Sequence, residues 1–205
     1  PGDLSSAAFY LVATCITPNA YLVINNVGIN PTRTGVISIL KLMGASIELV
    51  NKRLCGDEPV ADIHVKSSQL EGIDIPQEYV SLAIDEFPVL FVAAAVAYGQ
   101  TVIKGAKELR VKESDRIQSM ADGLSALGID AQPTADGIRI VGGQLGSGRI
   151  VSHHDHRIAM AFSIAGLRAA GDIVVEDCNN VATSFPQFIA AAESVGLNIN
   201  VEIVE

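Results

Sequence analysis

The stretch Asp85–Gly128, DEFPVLFVAAAVAYGQTVIKGAKELRVKESDRIQSMADGLSALG, holds one structural unit from start to stop. An aspartate opens it. The Ala-rich run Glu86–Tyr98 follows with Pro88 in its first turn, where proline is tolerated in a helix. Thr101–Ala106 reads as a strand. Glu108, Arg110, Lys112, Glu113, Asp115 and Arg116 then crowd into nine positions, after which the charges stop. Ile117, Met120, Leu124 and Leu127 recur at three- and four-residue spacing, one face of a helix over Ser114–Leu127 that ends at Gly128. The charged cluster therefore sits where a loop feeds a helix start, a place that favours bound anions.

The same plan occurs three times. Asp3, Asp85 and Asp155 each precede a helical run, Leu4–Ile16, Glu86–Tyr98 and His156–Ala170. Strands follow at Tyr21–Val27, Thr101–Ala106 and Asp172–Cys178, and second helices at Thr34–Met43, Ser114–Leu127 and Phe185–Val195. Ser184 with Gln187 suggests a capping box on the third. From Asp3 to Gly44, Asp85 to Gly128 and Asp155 to Gly196 the separations are 41, 43 and 41 residues. Further strands are expected at Ser46–Asn51, Asp130–Thr134 and Asn198–Val204, with Asp62–Lys66 and Gly137–Val141 added in the first two units. The expected fold class is α/β, three βαβαββ-type repeats at about 3–68, 80–142 and 149–205 around a pseudo-threefold axis, in one domain over 1–205. The glycine-rich segment 142–148 reads as a loop between repeats, and the three aspartates as helix caps.

The 205 residues are 49% hydrophobic and 18% charged, the balance of a well-buried globular chain. A net charge of −9 argues against nucleic-acid binding, which needs a basic surface. Cys15, Cys55 and Cys178 form no CxxC pair and suit a reducing, cytoplasmic setting. The apolar run Ala7–Ile16 is too short to span a bilayer, so no membrane association is expected. The chain opens at Pro1 without an initiator Met, which suggests a piece of a longer protein. The cluster His153-His154-Asp155-His156 invites a metal reading if the strand continues that far. No metal is expected there, because the same residues fit the motif below without one.

Arg110-Val-Lys-Glu-Ser-Asp-Arg116, together with Asp155-His-Arg-Ile-Ala-Met-Ala161, closely resembles the paired signatures of the 5-enolpyruvylshikimate-3-phosphate (EPSP) synthase family, the 3-phosphoshikimate 1-carboxyvinyltransferases. The resemblance covers nearly the whole chain, and the start Pro1-Gly-Asp-Leu-Ser-Ser-Ala-Ala8 looks like the beginning of that family's C-terminal globular domain. It implies an inside-out α/β barrel, half of a two-domain transferase that is a monomer when full length. It implies two small-molecule substrates, phosphoenolpyruvate and shikimate 3-phosphate, no cofactor, and a place in aromatic amino-acid biosynthesis as a glyphosate target. It further implies that an N-terminal domain supplies the rest of both substrate sites, that the first stretch of the full chain completes this domain's sheet, and that this chain alone is inactive.

Carried over by motif position, Asp85 resembles the carboxylate that touches the shikimate hydroxyls and acts as base, and Lys112 the lysine between the two substrates. Glu113 resembles the carboxylate that exchanges the proton at the enol methylene. Arg116 and Arg157 resemble the arginines that grip the phosphoenolpyruvate carboxylate, a task suited to guanidinium forks. They are expected to face one cleft beside Lys112 and Asp85. His156 orients Glu113, assists proton traffic or is structural. Glu108 stands where some members carry a shikimate-phosphate-binding Asn, and Thr183 where many carry a Lys for phosphoenolpyruvate. Both departures suggest a branch less sensitive to glyphosate. The rival readings are the sibling transferase acting on UDP-N-acetylglucosamine, an RNA 3′-phosphate cyclase-like protein, and a non-catalytic anion-binding domain.

Overall fold

A computed structural model describes residues 1–202. The fold begins from helices that have no face to give to water. Helix α1 (Leu4–Ile16) buries every residue except Ser6. After strand β1 (Tyr21–Gly28), helix α2 (Gly35–Leu42) and strands β2 (Ser46–Cys55) and β3 (Glu58–Lys66), helix α3 (Phe87–Val96) buries everything from Phe87 to Ala95. Strand β4 (Gln100–Ile103), helix α4 (Arg116–Ala126) and strands β5 (Asp130–Pro133), β6 (Ile138–Val141) and β7 (Gly148–Val151) lead to helix α5 (His156–Ala165). In α5, Ile158–Phe162, Ile164 and Ala165 are buried. A helix apolar all round belongs at a centre. Here α1, α3 and α5 pack against one another, and strand β8 (Ile173–Glu176) and the short helices α6 (Asn179–Ser184) and α7 (Phe188–Ser194) close the chain around them. Helices lie inside and sheets outside, the inside-out α/β barrel. Among the described residues no helix is long and apolar enough to cross a membrane.

The sheets carry the repetition. The first has the order β1-β3-β2 and the second β4-β6-β5, with antiparallel pairing throughout. Each unit also starts one step earlier than the sequence suggests. Gly2 bridges Val27 in parallel, Asp74 bridges Val102 in parallel, and β7 pairs in parallel with β8. In every case a central helix lies between the paired segments, as a parallel crossover requires. Strand β7 was hidden because Gly142, Gly143, Gly146 and Gly148 precede or open it, and four glycines in seven positions read as loop. The second helices of the first two units end at glycines with φ of 94° (Gly44) and 86° (Gly128), the left-handed stop.

The third unit departs most from expectation. Its second helix is split into α6 and α7, so Ser184 is the last residue of α6 and caps nothing. Gln187 precedes α7 without a side-chain capping bond, and the expected capping box is absent. Helix α6 escaped notice because Asn-Asn-Val-Ala-Thr-Ser has no apolar period. Asn198–Glu202 forms no ladder, so the expected strand Asn198–Val204 is not formed there, and its last two residues lie outside those described. Helix α3 stops at Val96 and α5 at Ala165, each shorter than the Ala-rich composition suggests.

Close approach of chain segments fixes the second unit. At Gly142, directly after β6, an added Cβ would lie 1.8 Å from the Ala97 carbonyl oxygen just past α3. Backbone cannot rotate away as a side chain can. Gly142→Ala should therefore cost about 1–3 kcal/mol of stability, an overpacking penalty. Chemical denaturation with a matched Gly143→Ala control, whose nearest neighbour is a side-chain atom at 3.5 Å, checks it.

Candidate active site

The first turns of the central helices meet. Ser5 of α1 donates its hydroxyl to Glu86, the residue before α3. Arg157 in the first turn of α5 donates through Nη1 to the Asp85 carbonyl at 2.8 Å and lies 3.7 Å from Glu86 Oε1. Helix α4 enters through Arg116, whose Nη1 is 3.5 Å from Asp85 Oδ1. The charges Glu108 and Arg110 ride on a 3-10 turn, Lys107–Val111, and Lys112 follows it to place Nζ 3.3 Å from Asp85 Oδ1, with Glu108 on its other side. Asp85 is thus the hub: Lys112, Arg116 and Arg157 all contact it.

Its freedom to act as a hub has a local cause. Asp3 accepts from the Ser6 N–H at 2.8 Å, three residues on, and Asp115 likewise from the Gln118 N–H at 3.0 Å. Asp155 caps α5 through the Arg157 N–H at 2.9 Å. Asp85 was expected to cap in the same way and does not, since Glu86 occupies the position before α3 and no side chain caps it. Three residues after Asp85 stands Pro88, which has no N–H to offer. The carboxylate left without its usual donor turns to cations.

Arg116 is the buried member, with its side chain 1% exposed. Asp155, fully buried, accepts from Arg116 Nε at 2.8 Å and Nη2 at 3.3 Å, and from the Ser114 hydroxyl at 3.0 Å. Glu113, half exposed, accepts from the same Nη2. Arg116 and Arg157 do face one place, as the repeat suggested. Arg116, however, is engaged by three carboxylates, whereas Arg157 commits a single side-chain nitrogen to a hydrogen bond among the described residues. The helix starts that looked open to anions hold the chain's own carboxylates, Asp115 and Asp155.

Electrostatics follow from these contacts. Burial pushes the Asp85 carboxyl up, but Arg157, Lys112 and Arg116 outweigh it and hold it below the ordinary value. Asp155 is lowered in the same way: burial opposes, and the Arg116 hydrogen bond and charge, the Arg157 N–H and Ser114 prevail. Lys112 is raised by its hydrogen bond to Glu108 and by Asp85, against burial. His156 is lowered by burial and by the Arg157 charge, so the neutral imidazole is favoured. Glu86 is raised by burial, against Ser5 and Arg157. The metal-binding geometry weighed for His153–His156 does not form. The strand ends at Val151, and His153 and His154 take φ of 53° and 57°. Two contributors escaped sequence reading: Glu86, a second carboxylate directly after Asp85 at the edge of an apolar run, and Asp155 in its role as partner of Arg116.

A family model for EPSP synthase (3-phosphoshikimate 1-carboxyvinyltransferase) matches residues 1–191. The chain belongs to the EPSP synthase family. The 3-phosphoshikimate 1-carboxyvinyltransferase of Hydrogenovibrio crunogenus is 64% identical over 201 residues, 97% of this chain and 45% of that protein. The Methylococcus capsulatus protein of the same name is 58% identical over 201 residues, 98% of this chain and 46% of that protein. EPSP synthase from Acinetobacter baumannii superposes with a TM-score of 0.97 at 57% identity over 99% of this chain and 48% of that one. The enolpyruvyl transferase NikO from Streptomyces tendae, at 18% identity and a TM-score of 0.73 over 96% of this chain and 43% of that one, shares the fold. The chain spans about half the length of the curated relatives it matches.

A carboxyl lowered by folding stabilises the fold above its ordinary value of 3.8, and that contribution disappears as pH falls through the lower folded value. Glu86, raised by burial, works in the opposite sense and softens the loss. Thermal midpoints of the chain should fall as pH drops below about 4. Asp155→Asn should lose about 1.5–3 kcal/mol at neutral pH, because it removes the buried anionic partner of Arg116 and leaves only Glu113 and Asp85. It should also flatten the acid limb of the midpoint–pH curve.

Proposed function

We propose that this chain is the C-terminal globular domain of a two-domain transferase, its three repeats entered at Gly2, Asp74 and Gly148. It forms one wall of a cleft that moves the enolpyruvyl group of phosphoenolpyruvate to the 5-hydroxyl of shikimate 3-phosphate, releasing phosphate. The observation that carries this reading is the convergence on Asp85, with Lys112 and Arg116 at its uncapped carboxylate and Arg157 at its backbone carbonyl, in a chain of the EPSP synthase family. The three cysteines are free, which suits a cytoplasmic setting.

Asp85, kept ionised by its cations, accepts the proton of the 5-hydroxyl as that oxygen bonds to C2 of phosphoenolpyruvate. A proton delivered to C3 completes a tetrahedral adduct. The methyl group then returns a proton while the C2–O bond to phosphate breaks, restoring the C2–C3 double bond in a new enol ether. Glu113 is the residue for the C3 proton. It is the solvent-exposed partner on Arg116, where Asp155 is the fixed one. A substrate carboxylate that takes the place of Glu113 on Arg116 frees this carboxyl to carry protons. Lys112 stands between Asp85 and Glu108 as a cation for charge developing on either substrate, and Glu108 touches shikimate 3-phosphate through it. Arg157 grips the phosphoenolpyruvate carboxylate, and neutral His156 beside it relays or orients protons. Proton transfers and a phosphate leaving group account for every step without a cofactor.

The chain alone should show no phosphate release with both substrates, because closure of the second wall is what orients them and excludes water. In a two-domain protein carrying this sequence, Glu113→Gln should lower kcat on the order of 10²-fold or more with the KM values little changed. Steady-state phosphate release checks both. A normal kcat with a raised KM would reassign Glu113 to binding.

A further inference from the structure

We propose that Glu86 is a positioning residue for the Arg157 guanidinium, locked from behind by Ser5 and, through Ser5, by Arg33. The inference rests on the function proposed above. Glu86 is a carboxylate 7% exposed at the start of α3, followed at once by the fully buried Phe87. An ion at such a place costs free energy that an apolar side chain would not, so its contribution to stability is a weak reason for it to be there. Its contacts supply a better one. The Ser5 hydroxyl donates to Glu86 Oε1, and Ser5 Oγ in turn accepts from Arg33 Nη2 at 2.9 Å. Arg33 is held at its outer side by Asp3 at 3.3 Å. The carboxylate so fixed lies 3.7 Å from Arg157 Nη1, the nitrogen that donates to the Asp85 carbonyl at 2.8 Å.

One amino group of Arg157 is thereby hydrogen-bonded to the Asp85 carbonyl and drawn by charge to the Glu86 carboxylate of the next residue. The edge made by Nε and Nη2 has no hydrogen-bond partner among the described residues. That edge is a two-donor fork of the geometry a carboxylate accepts. Pinning Nη1 sets the plane of the guanidinium and so the direction in which the fork opens. The chain of contacts runs from the first repeat (Arg33, Ser5) through the second (Glu86) to the third (Arg157), so the receptor's angle depends on how the three units are packed.

The two-domain protein carrying this sequence is compared with its Glu86→Gln, Glu86→Asp and Ser5→Ala variants. Glu86→Gln keeps an acceptor for Ser5 but loses the charge. It should raise KM for phosphoenolpyruvate about 10-fold, the scale of one charge-assisted contact, with kcat and KM for shikimate 3-phosphate changed less than about threefold. Glu86→Asp should recover part of the loss, and Ser5→Ala should move the same KM in the same direction by less. A KM for phosphoenolpyruvate that is unchanged or lower in Glu86→Gln overturns the proposal, since removing a negative charge without misaligning Arg157 would favour an anion. Equal loss for both substrates with a lowered melting temperature overturns it too, as the mark of a merely structural group. If Glu86→Gln does not fold, Ser5→Ala carries the same decision. A readout independent of activity comes from ¹⁵N NMR of the Arg157 guanidinium in the 205-residue chain: slow rotation of its Nη groups is expected, becoming fast in Glu86→Gln and Ser5→Ala. Free rotation in the unsubstituted chain overturns the positioning role. Slow rotation in the chain, together with a two-domain protein that lacks transferase activity, would leave the pinning standing and overturn the functional reading alone.

Discussion

Three helices without a polar face set the terms for everything else. Helix α3 has no charged residue between Phe87 and Val96, α1 has none between Leu4 and Ile16, and in α5 the only ionisable groups are His156 and Arg157 in its first turn. Packed together, such helices can carry charge only at their ends. The repeat puts its charges at the same end each time: Asp3, Asp85 and Glu86, then Asp155 with His156 and Arg157. Burial of the middles therefore brings the starts into contact, which is why Ser5 reaches Glu86 and Arg157 reaches Asp85. The site is a consequence of how the core is made.

Within that frame, small breaches of the repeat create the chemistry. Three aspartates occupy equivalent positions, and two cap their own helices. The third has Pro88 three residues on, where Asp3 finds its donor, and its carboxylate meets Lys112 and Arg116 instead while its carbonyl takes Arg157. A proline tolerated as a helix opener thus doubles as the reason an aspartate is free. Asp155 does both jobs at once, since one oxygen caps α5 and the pair clamps Arg116. A fully buried ion pair of this kind adds little net stability and loses much if one partner goes. Its structural effect is to fix the start of α4 against the start of α5, leaving Glu113 as the exchangeable partner at the surface.

The equal spacing from Asp to Gly, the apolar runs and the helix-stopping glycines were legible because they are local: each is settled by neighbours three or four residues away. The elements that were missed lack a local signal. Strand β7 opens on glycine after a glycine-rich approach, and α6 has no period; both exist because β8 and α5 offer them a place to pack. The motif made Asp85, Lys112, Glu113, Arg116 and Arg157 visible as candidates, yet not who holds whom. Arg116 meets Asp155 across 39 residues, Arg157 meets the Asp85 carbonyl across 72, and Ser5 meets Glu86 across 81. No window of sequence contains such pairs. Part of the uncapped state of Asp85 was, by contrast, readable in principle, because proline three residues after an aspartate removes the donor that Asp3 uses, though not the one two residues on that Asp155 uses.

The charge of the cluster bears on the second wall that the proposed function calls for. Lys112, Arg116 and Arg157 contribute three positive charges, while Asp85, Glu86, Glu108, Glu113 and Asp155 contribute five carboxylates. Two of these, Glu86 and Asp155, are buried, and Asp155 is committed to Arg116. Substrates that each bear a phosphate and a carboxylate would meet a field that is negative on balance, whatever the local pull of Arg157. Under the proposed function, then, recognition on this side is by direction more than by net charge: a fork on Arg157, an ammonium on Lys112 and a carboxylate on Asp85, each aimed by its neighbours. The same proposal assigns the bulk of the positive charge to the opposite wall. That division has a kinetic use. Anions held by this half alone would bind weakly, and the reacting groups would come into register only when the cationic half closes over them, which is also when water leaves.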